Sequence, residues 1–347
     1  MKDKVNIRTL TSNQIQEWIL KHNFPKFRAK QIYHWLWKKV RSHFSEMANL
    51  PGALIDLLDQ SFFIDTISED LVQKSDDGTI KCRYKLHDGH LIESVLIPVP
   101  SDNRYTVCVS SQVGCSLDCS FCATGKMGLK RNLTAGEIYD QVVQINTLCQ
   151  EHFDHALTNI VYMGMGEPLL NYRNVLRSVE MITSPDGLHM SPRRITISTA
   201  GIAKMIRRLA DDNVRFNLAL SLHAPTDDAR SKIMPINESN NLDALEDALE
   251  DFYRQTKNKI SYEYIAFNGI NVSMEDARAL AKRCKRYPVR VNIIEYNPIG
   301  LGGFEKAEED QIDRFAQFLR TQNVMVTVRR SRGKDIDAAC GQLANKD

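Results

Sequence analysis

Residues 105–125 read YTVCVSSQVGCSLDCSFCATG, an apolar, β-branched run that gives way to three closely spaced thiols, Cys115, Cys119 and Cys122, in the pattern Cys-x3-Cys-x2-Cys. Three thiolates can each hold one iron of a [4Fe–4S] cluster and leave the fourth iron open to a small molecule, whereas an electron-carrying ferredoxin closes all four corners with cysteine. The count therefore points to chemistry at an open iron rather than to electron transfer alone. A structural zinc loop, with Cys108 or a histidine as fourth ligand, is the competing reading. Such sites usually come as two separated pairs, and this chain has no second pair.

Downstream of this loop, short β runs alternate with helical patterns. The strand candidates are 105–110, 159–163, 194–199, 216–222, 261–267 and 289–295, and the segments between them carry apolar residues at helical spacing. The first helix is well marked: Thr134 and Glu137 make a capping box, and Ile138, Val142, Ile145 and Cys149 fall on one face. Such alternation predicts an α/β fold with parallel strands, and six βα units predict a partial (β/α)6 barrel whose site gathers at the carboxyl ends of the strands. A helix at about 307–322 and a strand at 324–330 follow.

Residues 1–70 differ in texture and predict a small helical accessory domain. The rest divides into a strand-rich connector (71–103), the barrel (104–306) and a C-terminal extension (307–347). The N-terminal segment interleaves rings and cations: Phe24, Lys26, Phe27, Arg28, Lys30, Tyr33, Trp35, Trp37, Lys38, Lys39 and Arg41. That mixture suits RNA, with rings stacking on bases and cations meeting phosphates. It suits equally a packing stripe through Ile32, Trp35 and Leu36. Net charge over the 347 residues is only +2, from 45 basic and 43 acidic side chains, so bulk charge does not announce a nucleic-acid binder. Basic clusters do occur at Lys126, Lys130 and Arg131, at Arg193 and Arg194, at Arg207 and Arg208, and at Arg329, Arg330, Arg332 and Lys334.

Eight scattered cysteines fit reduced thiols and a cytoplasmic location better than a secreted disulfide framework, and no apolar run is long enough to span a membrane. At the strand ends lie YMGMGEP with Gly164, Gly166 and Glu167, then Ser198 to Gly201, Ser221-Leu222-His223, and Asn297-Pro298. Glycines admit close backbone approach, and a carboxylate there can pair with an ammonium. Cys340 stands in the tail beside Asp335 and Asp337. On spacing alone it reads as an inert small hydrophobe.

Taken together, CVSSQVGCSLDCSFCATG, RNLTAGEIYDQV, MGMGEPLLN, SPRRITISTAG, SLHAPTDDARSKIMPIN, EYNP and DIDAACGQL resemble the bacterial dual-specificity 23S rRNA/tRNA adenine carbon-2 methyltransferases, which are radical S-adenosylmethionine (SAM) enzymes. The resemblance runs in order over essentially the whole chain. It implies a [4Fe–4S] cluster on Cys115, Cys119 and Cys122 and two SAM molecules per turnover. It implies further that Cys340 becomes the S-methylcysteine intermediate, that Glu93 in IESVLIP is the proton acceptor, and that Cys108 is the resolving thiol, forming a disulfide with Cys340. Gly166, Glu167, Ser198, Ser221, Leu222, His223 and Asn297 map onto the SAM-contacting positions. The implied partners are 23S rRNA, tRNA and an electron donor such as flavodoxin. Two alternatives remain: the related carbon-8 adenine methyltransferases of the antibiotic-resistance type, and a non-catalytic iron–sulfur RNA-binding protein.

Overall fold

The computed structural model describes residues 4–300 and 303–346. Three helices open the chain, α1 (Ser12–Lys21), α2 (Phe27–Trp37) and α3 (Gly52–Ser61). Short strands β1 (Val5–Asn6) and β2 (Phe62–Phe63) pair in parallel and bring the ends of this segment together. A Thr11/Gln14 capping box starts α1. The stripe Ile32, Tyr33, Leu36 and Trp37 on α2 is buried, so these residues pack rather than face solvent. Phe27 remains 51% exposed.

Strand β3 (Ser68–Lys74) crosses residue 70, where the sequence reading ended the helical segment, and so moves that boundary a few residues back. It forms an antiparallel meander with β4 (Ile80–Lys85) and β5 (Leu91–Val99), and β5 pairs antiparallel with β6 (Arg104–Cys108). Two-residue strands β7 (Gln112–Val113) and β8 (Arg131–Asn132) close the cysteine loop at its base. The one-turn helix α4 (Ala123–Lys126) lies within that loop, and α5 (Ala135–Phe153) follows it under the expected Thr134/Glu137 capping box.

Strands β9 (Asn159–Tyr162), β10 (Ile195–Thr199), β11 (Asn217–Ser221), β12 (Ile260–Ala266), β13 (Val289–Glu295) and β14 (Met325–Arg329) then run parallel. With β6 they make seven parallel strands in the order β14-β13-β12-β11-β10-β9-β6, and the meander extends the edge as β5-β4-β3. The strand expected after the barrel is thus its seventh member. Helices α6 (Tyr172–Thr183), α7 (Ala203–Asp211), α8 (Asp227–Ile233), α9 (Leu242–Thr256), α10 (Met274–Arg283) and α11 (Glu309–Thr321) fill the connections. β12 and β13 are buried almost throughout, as parallel strands covered by helices must be.

The apolar core runs without a break from the N-terminal helices into the barrel. Arg8 makes a bidentate ion pair with Asp140 on α5, both oxygens at 2.7 Å, and its guanidinium lies 4.6 Å over the Trp37 ring. Tyr139 on α5 donates to the Trp37 carbonyl at 2.7 Å. Trp37 is fully buried, with Arg8 over its ring and Tyr139 set against it edge to face, and so presents no face to a base. No helix among the described residues is long and apolar enough to cross a membrane.

Candidate active site

One cavity opens at the carboxyl ends of the parallel strands. Its wall includes Cys115, Cys119 and Cys122 from the loop, Gly166 and Glu167 after β9, Ser198 on β10, Ser221 and His223 at the end of β11, Glu263 on β12, Arg329 on β14, and Cys340. Residues more than 200 positions apart in sequence thus meet because each strand of the barrel delivers its end to the same mouth.

The loop fits a cluster on its donor set. Its three cysteines are free and half-buried, and among the described residues no three His, Cys, Asp or Glu side chains gather closely enough to hold a single metal ion. Three thiols on the wall of one cavity match the donor set of a polynuclear group with one iron left open. Burial pushes the Cys115 thiol up to about 11 and Cys119 higher still, so these two thiols are protonated when no cluster is bound.

Glu167 is buried, and burial pushes its carboxyl pKa up. Its Oε2 accepts from Ala200 N at 2.7 Å and its Oε1 from Leu169 N at 3.0 Å, which fixes the carboxylate at the cavity wall. Gly166 must be glycine: φ is +96°, and a Cβ there would lie 2.4 Å from Gln112 Cβ. The His223 Nδ1 accepts from Ile265 N at 3.1 Å, which leaves any ring proton on Nε2. Burial, then Arg230, pushes its pKa down to about 3, so the imidazole is neutral at physiological pH. Ser198 and Ser221 bring their hydroxyls to 3.4 Å.

Two expected SAM contacts stand apart from the cavity wall. Leu222 is buried, with its carbonyl accepting from Arg230 Nε at 3.1 Å, and Asn297 donates to Ser331 Oγ at 2.9 Å. Glu93 stands apart as well. It is fully buried, its Oε1 lies 3.4 Å from Lys81, and its Oε2 accepts from the backbone N–H groups of Ala344 and Asn345 at 2.9 and 3.1 Å.

Glu93 thereby fastens the tail just beyond Cys340, and the cluster loop fastens it on the near side. Ala123 N donates to the Gly341 carbonyl at 2.8 Å and Thr124 Oγ1 to that of Leu343 at 2.6 Å. Upstream, Gly333 N donates to Asp77 at 2.9 Å. Cys108, at the end of β6, is buried and its thiol is pushed up to about 12 by that burial, with Cys340 the charge it feels next most strongly. Both thiols are free. Replacing Glu93 with alanine strands Lys81 and two backbone donors, a loss of about 3–5 kcal/mol for a broken buried ion pair. Hydrogen exchange at Ala344 and Asn345 is therefore expected to speed up at least about tenfold in Glu93→Ala and to change little in Glu93→Gln, which keeps an acceptor oxygen.

Sequence reading missed Glu263. Its Oε1 accepts from Ser261 Oγ at 2.9 Å and Asn292 Nδ2 at 2.7 Å, while Oε2 lies 3.4 Å from Arg329. The available signal was a carboxylate in the middle of the apolar strand ISYEYIA.

Residues 109–281 match the radical SAM superfamily, and residues 5–64 match the ribosomal RNA large subunit methyltransferase N-terminal domain. A protein of Flavobacterium johnsoniae named as a probable dual-specificity RNA methyltransferase RlmN is 50% identical over 345 residues, covering 99% of this chain and 98% of the relative. The chain belongs to the RlmN family of radical SAM RNA methyltransferases. A Campylobacter jejuni member, named dual-specificity RNA methyltransferase RlmN, is 41% identical over 100% of this chain and 99% of its own length. The crystal structure of a radical SAM methyltransferase from Sphaerobacter thermophilus superposes with a TM-score of 0.91 at 40% identity, covering 99% of this chain and 100% of that one. Membership brings with it the SAM-dependent radical chemistry of the superfamily, and so a [4Fe–4S] cluster and SAM as cofactors. The N-terminal helices are part of the family's build, since the matched segment 5–64 spans β1 through β2.

Proposed function

We propose that this enzyme methylates carbon-2 of an adenine in the peptidyl-transferase centre of 23S rRNA and of the adenine 3′ of the anticodon in tRNAs. It would use two SAM molecules per turnover, with Cys340 carrying the methyl group between them. The observation that carries the reading is that Cys340 lies on the wall of the cavity that holds the three loop cysteines. Carbon-2 of adenine is an electron-poor ring carbon, so polar attack on a methyl group is closed to it and a radical route is required. The cluster and SAM supply the radical chemistry, and the protein supplies placement.

Cys115, Cys119 and Cys122 hold the cluster, and Glu167 at the end of β9 is placed to take SAM's ammonium. Gly166, Ser198, Ser221 and His223 border the rest of the cofactor, with Leu222 and Asn297 acting from just behind the wall. Cys340 would accept a methyl group on sulfur as S-adenosylhomocysteine leaves, give up one hydrogen atom of that methyl to the radical chemistry the cluster and SAM would supply, and bond to adenine carbon-2 through that carbon, the odd electron returning to the same chemistry. Glu93 takes the ring proton; this needs the tail to leave its carboxylate, which in this conformation is filled by Ala344, Asn345 and Lys81. Cys108 then gives up its proton and attacks the Cys340 sulfur, the bond from that sulfur to the methylene carbon breaks toward carbon, which takes up a proton to become the methyl group, and a disulfide remains for reduction. Flavodoxin is the class of electron donor this scheme calls for.

Cys108→Ala is expected to accumulate protein covalently joined to RNA, visible as a shifted band on denaturing gels, while normal turnover would remove the resolving role. The substrate reading is tested by nucleoside mass spectrometry after anaerobic reaction with SAM, reductant and an unmodified 23S rRNA fragment or tRNA. A methyl on carbon-2 supports it; a methyl on carbon-8 moves the enzyme to the resistance relatives, and an intact cluster with no methylated adenine favours an RNA-binding protein.

A further inference from the structure

Arg230 on α8 is fully buried, and all its hydrogen bonds go to uncharged oxygens. Its Nε donates to Leu222 O at 3.1 Å, Nη1 to Asn237 Oδ1 at 2.8 Å, and Nη2 to Ala200 O at 2.5 Å and Ser221 O at 3.1 Å. Among the described residues no carboxylate pairs with it. Asp227, on the same helix, instead accepts from Asn237 and from Leu242 N, each at 2.9 Å. A buried guanidinium without a countercharge is costly, so the anion that balances it is to be sought nearby.

The loop lies against this helix. Ser120 N donates to Ile233 O at 3.0 Å, and Cys119 and Cys122 pack on the apolar cluster of Phe121, Ile233 and Met234. Ala200 and Ser221, whose carbonyls take Arg230 Nη2, line the same cavity as Cys119 and Cys122, so the guanidinium lies just behind the wall that carries the loop cysteines. We propose that Arg230 is the buried countercharge of the iron–sulfur cluster, setting its reduction potential through space while its hydrogen bonds hold the ends of β10 and β11. The inference rests on the cluster assignment above. Three thiolates on a [4Fe–4S] core leave net negative charge, and reduction adds one more electron. A fixed cation behind the wall of the cavity that holds the loop cysteines therefore favours the reduced state over the oxidised one.

The test is an anaerobic redox titration of the reconstituted protein, followed by visible absorbance and electron paramagnetic resonance, with Arg230→Met and Arg230→Lys beside the unsubstituted chain. In Arg230→Met the ratio of reduced to oxidised cluster at a fixed applied potential is expected to fall about tenfold, a lowering of about 59 mV for one electron. Arg230→Lys keeps the charge and gives up most of the carbonyl bonds, and its ratio is expected to stay within about threefold of the unsubstituted protein. Equal losses in both variants, or no change in Arg230→Met, overturn the charge role and leave Arg230 a strap. Should Arg230→Met fail to load iron, the lysine variant alone decides: a tenfold loss there contradicts the proposal. Failure of the unsubstituted protein to bind iron and sulfide would instead remove the cluster assignment itself.

Discussion

Cys340→Ala is expected to bind iron, sulfide and SAM like the unsubstituted enzyme and to methylate no RNA. The side chain lost is small, and the tail that carries it is held by other groups: Gly341 by Ala123, Leu343 by Thr124, and Ala344 and Asn345 by Glu93. The variant therefore keeps its fold, with a stability change within about 0.5 kcal/mol. What it loses is the sulfur. Cys340 is exposed on the cavity wall, where crowding by the surrounding protein raises its thiol pKa and Arg329 opposes that rise. No other cysteine outside the loop lines that wall, so no thiol is available to substitute. Loss of product by at least about four orders of magnitude, with SAM binding retained by calorimetry, fits a residue that bonds to the transferred carbon. Residual methylation close to the original rate would remove the methyl carrier from the scheme.

Cys115→Ala is expected to lose the cluster and with it every activity. Cys115 is only half-buried and stands outside the main apolar clusters, so its removal opens no core cavity. The iron-free variant should therefore melt close to the iron-free unsubstituted protein. With two thiolates left, one further iron loses its protein ligand and the cluster is no longer anchored on three sides. Iron and sulfide analysis after anaerobic reconstitution, together with the charge-transfer absorbance, provides the readout. A full complement of iron in this variant would contradict the ligand assignment.

Much of this was legible in the chain because its signals are local. The βα alternation is written in periodicity, and the Thr134/Glu137 box sits where a helix start must be capped. The Cys-x3-Cys-x2-Cys loop carries its meaning in spacing alone. Other features depended on contacts distant in sequence. Nothing in IESVLIP announces that the Glu93 carboxylate ends on the backbone of Ala344 and Asn345, or that Asn297 turns to Ser331. The aromatic residues of α2 read equally as RNA platform or packing stripe, and only the arrival of Arg8, Tyr139 and Met181 from other elements makes Trp37 and Tyr33 part of the core. Basic clusters misled in a similar way. Arg330 and Lys334 both pair with Glu295, which, although burial opposes it, they hold down to about 2, so this stretch presents less free charge than its composition suggests.

The account turns on a methyl group passing through Cys340. Trypsin releases that cysteine alone in the peptide 335–346, DIDAACGQLANK. After incubation of the reconstituted enzyme with isotopically labelled SAM and no RNA, mass spectrometry of this peptide is predicted to find one labelled methyl on Cys340, which then passes into adenine when RNA and reductant are added. Labelled methyladenine formed while this peptide stays unmodified throughout would contradict it.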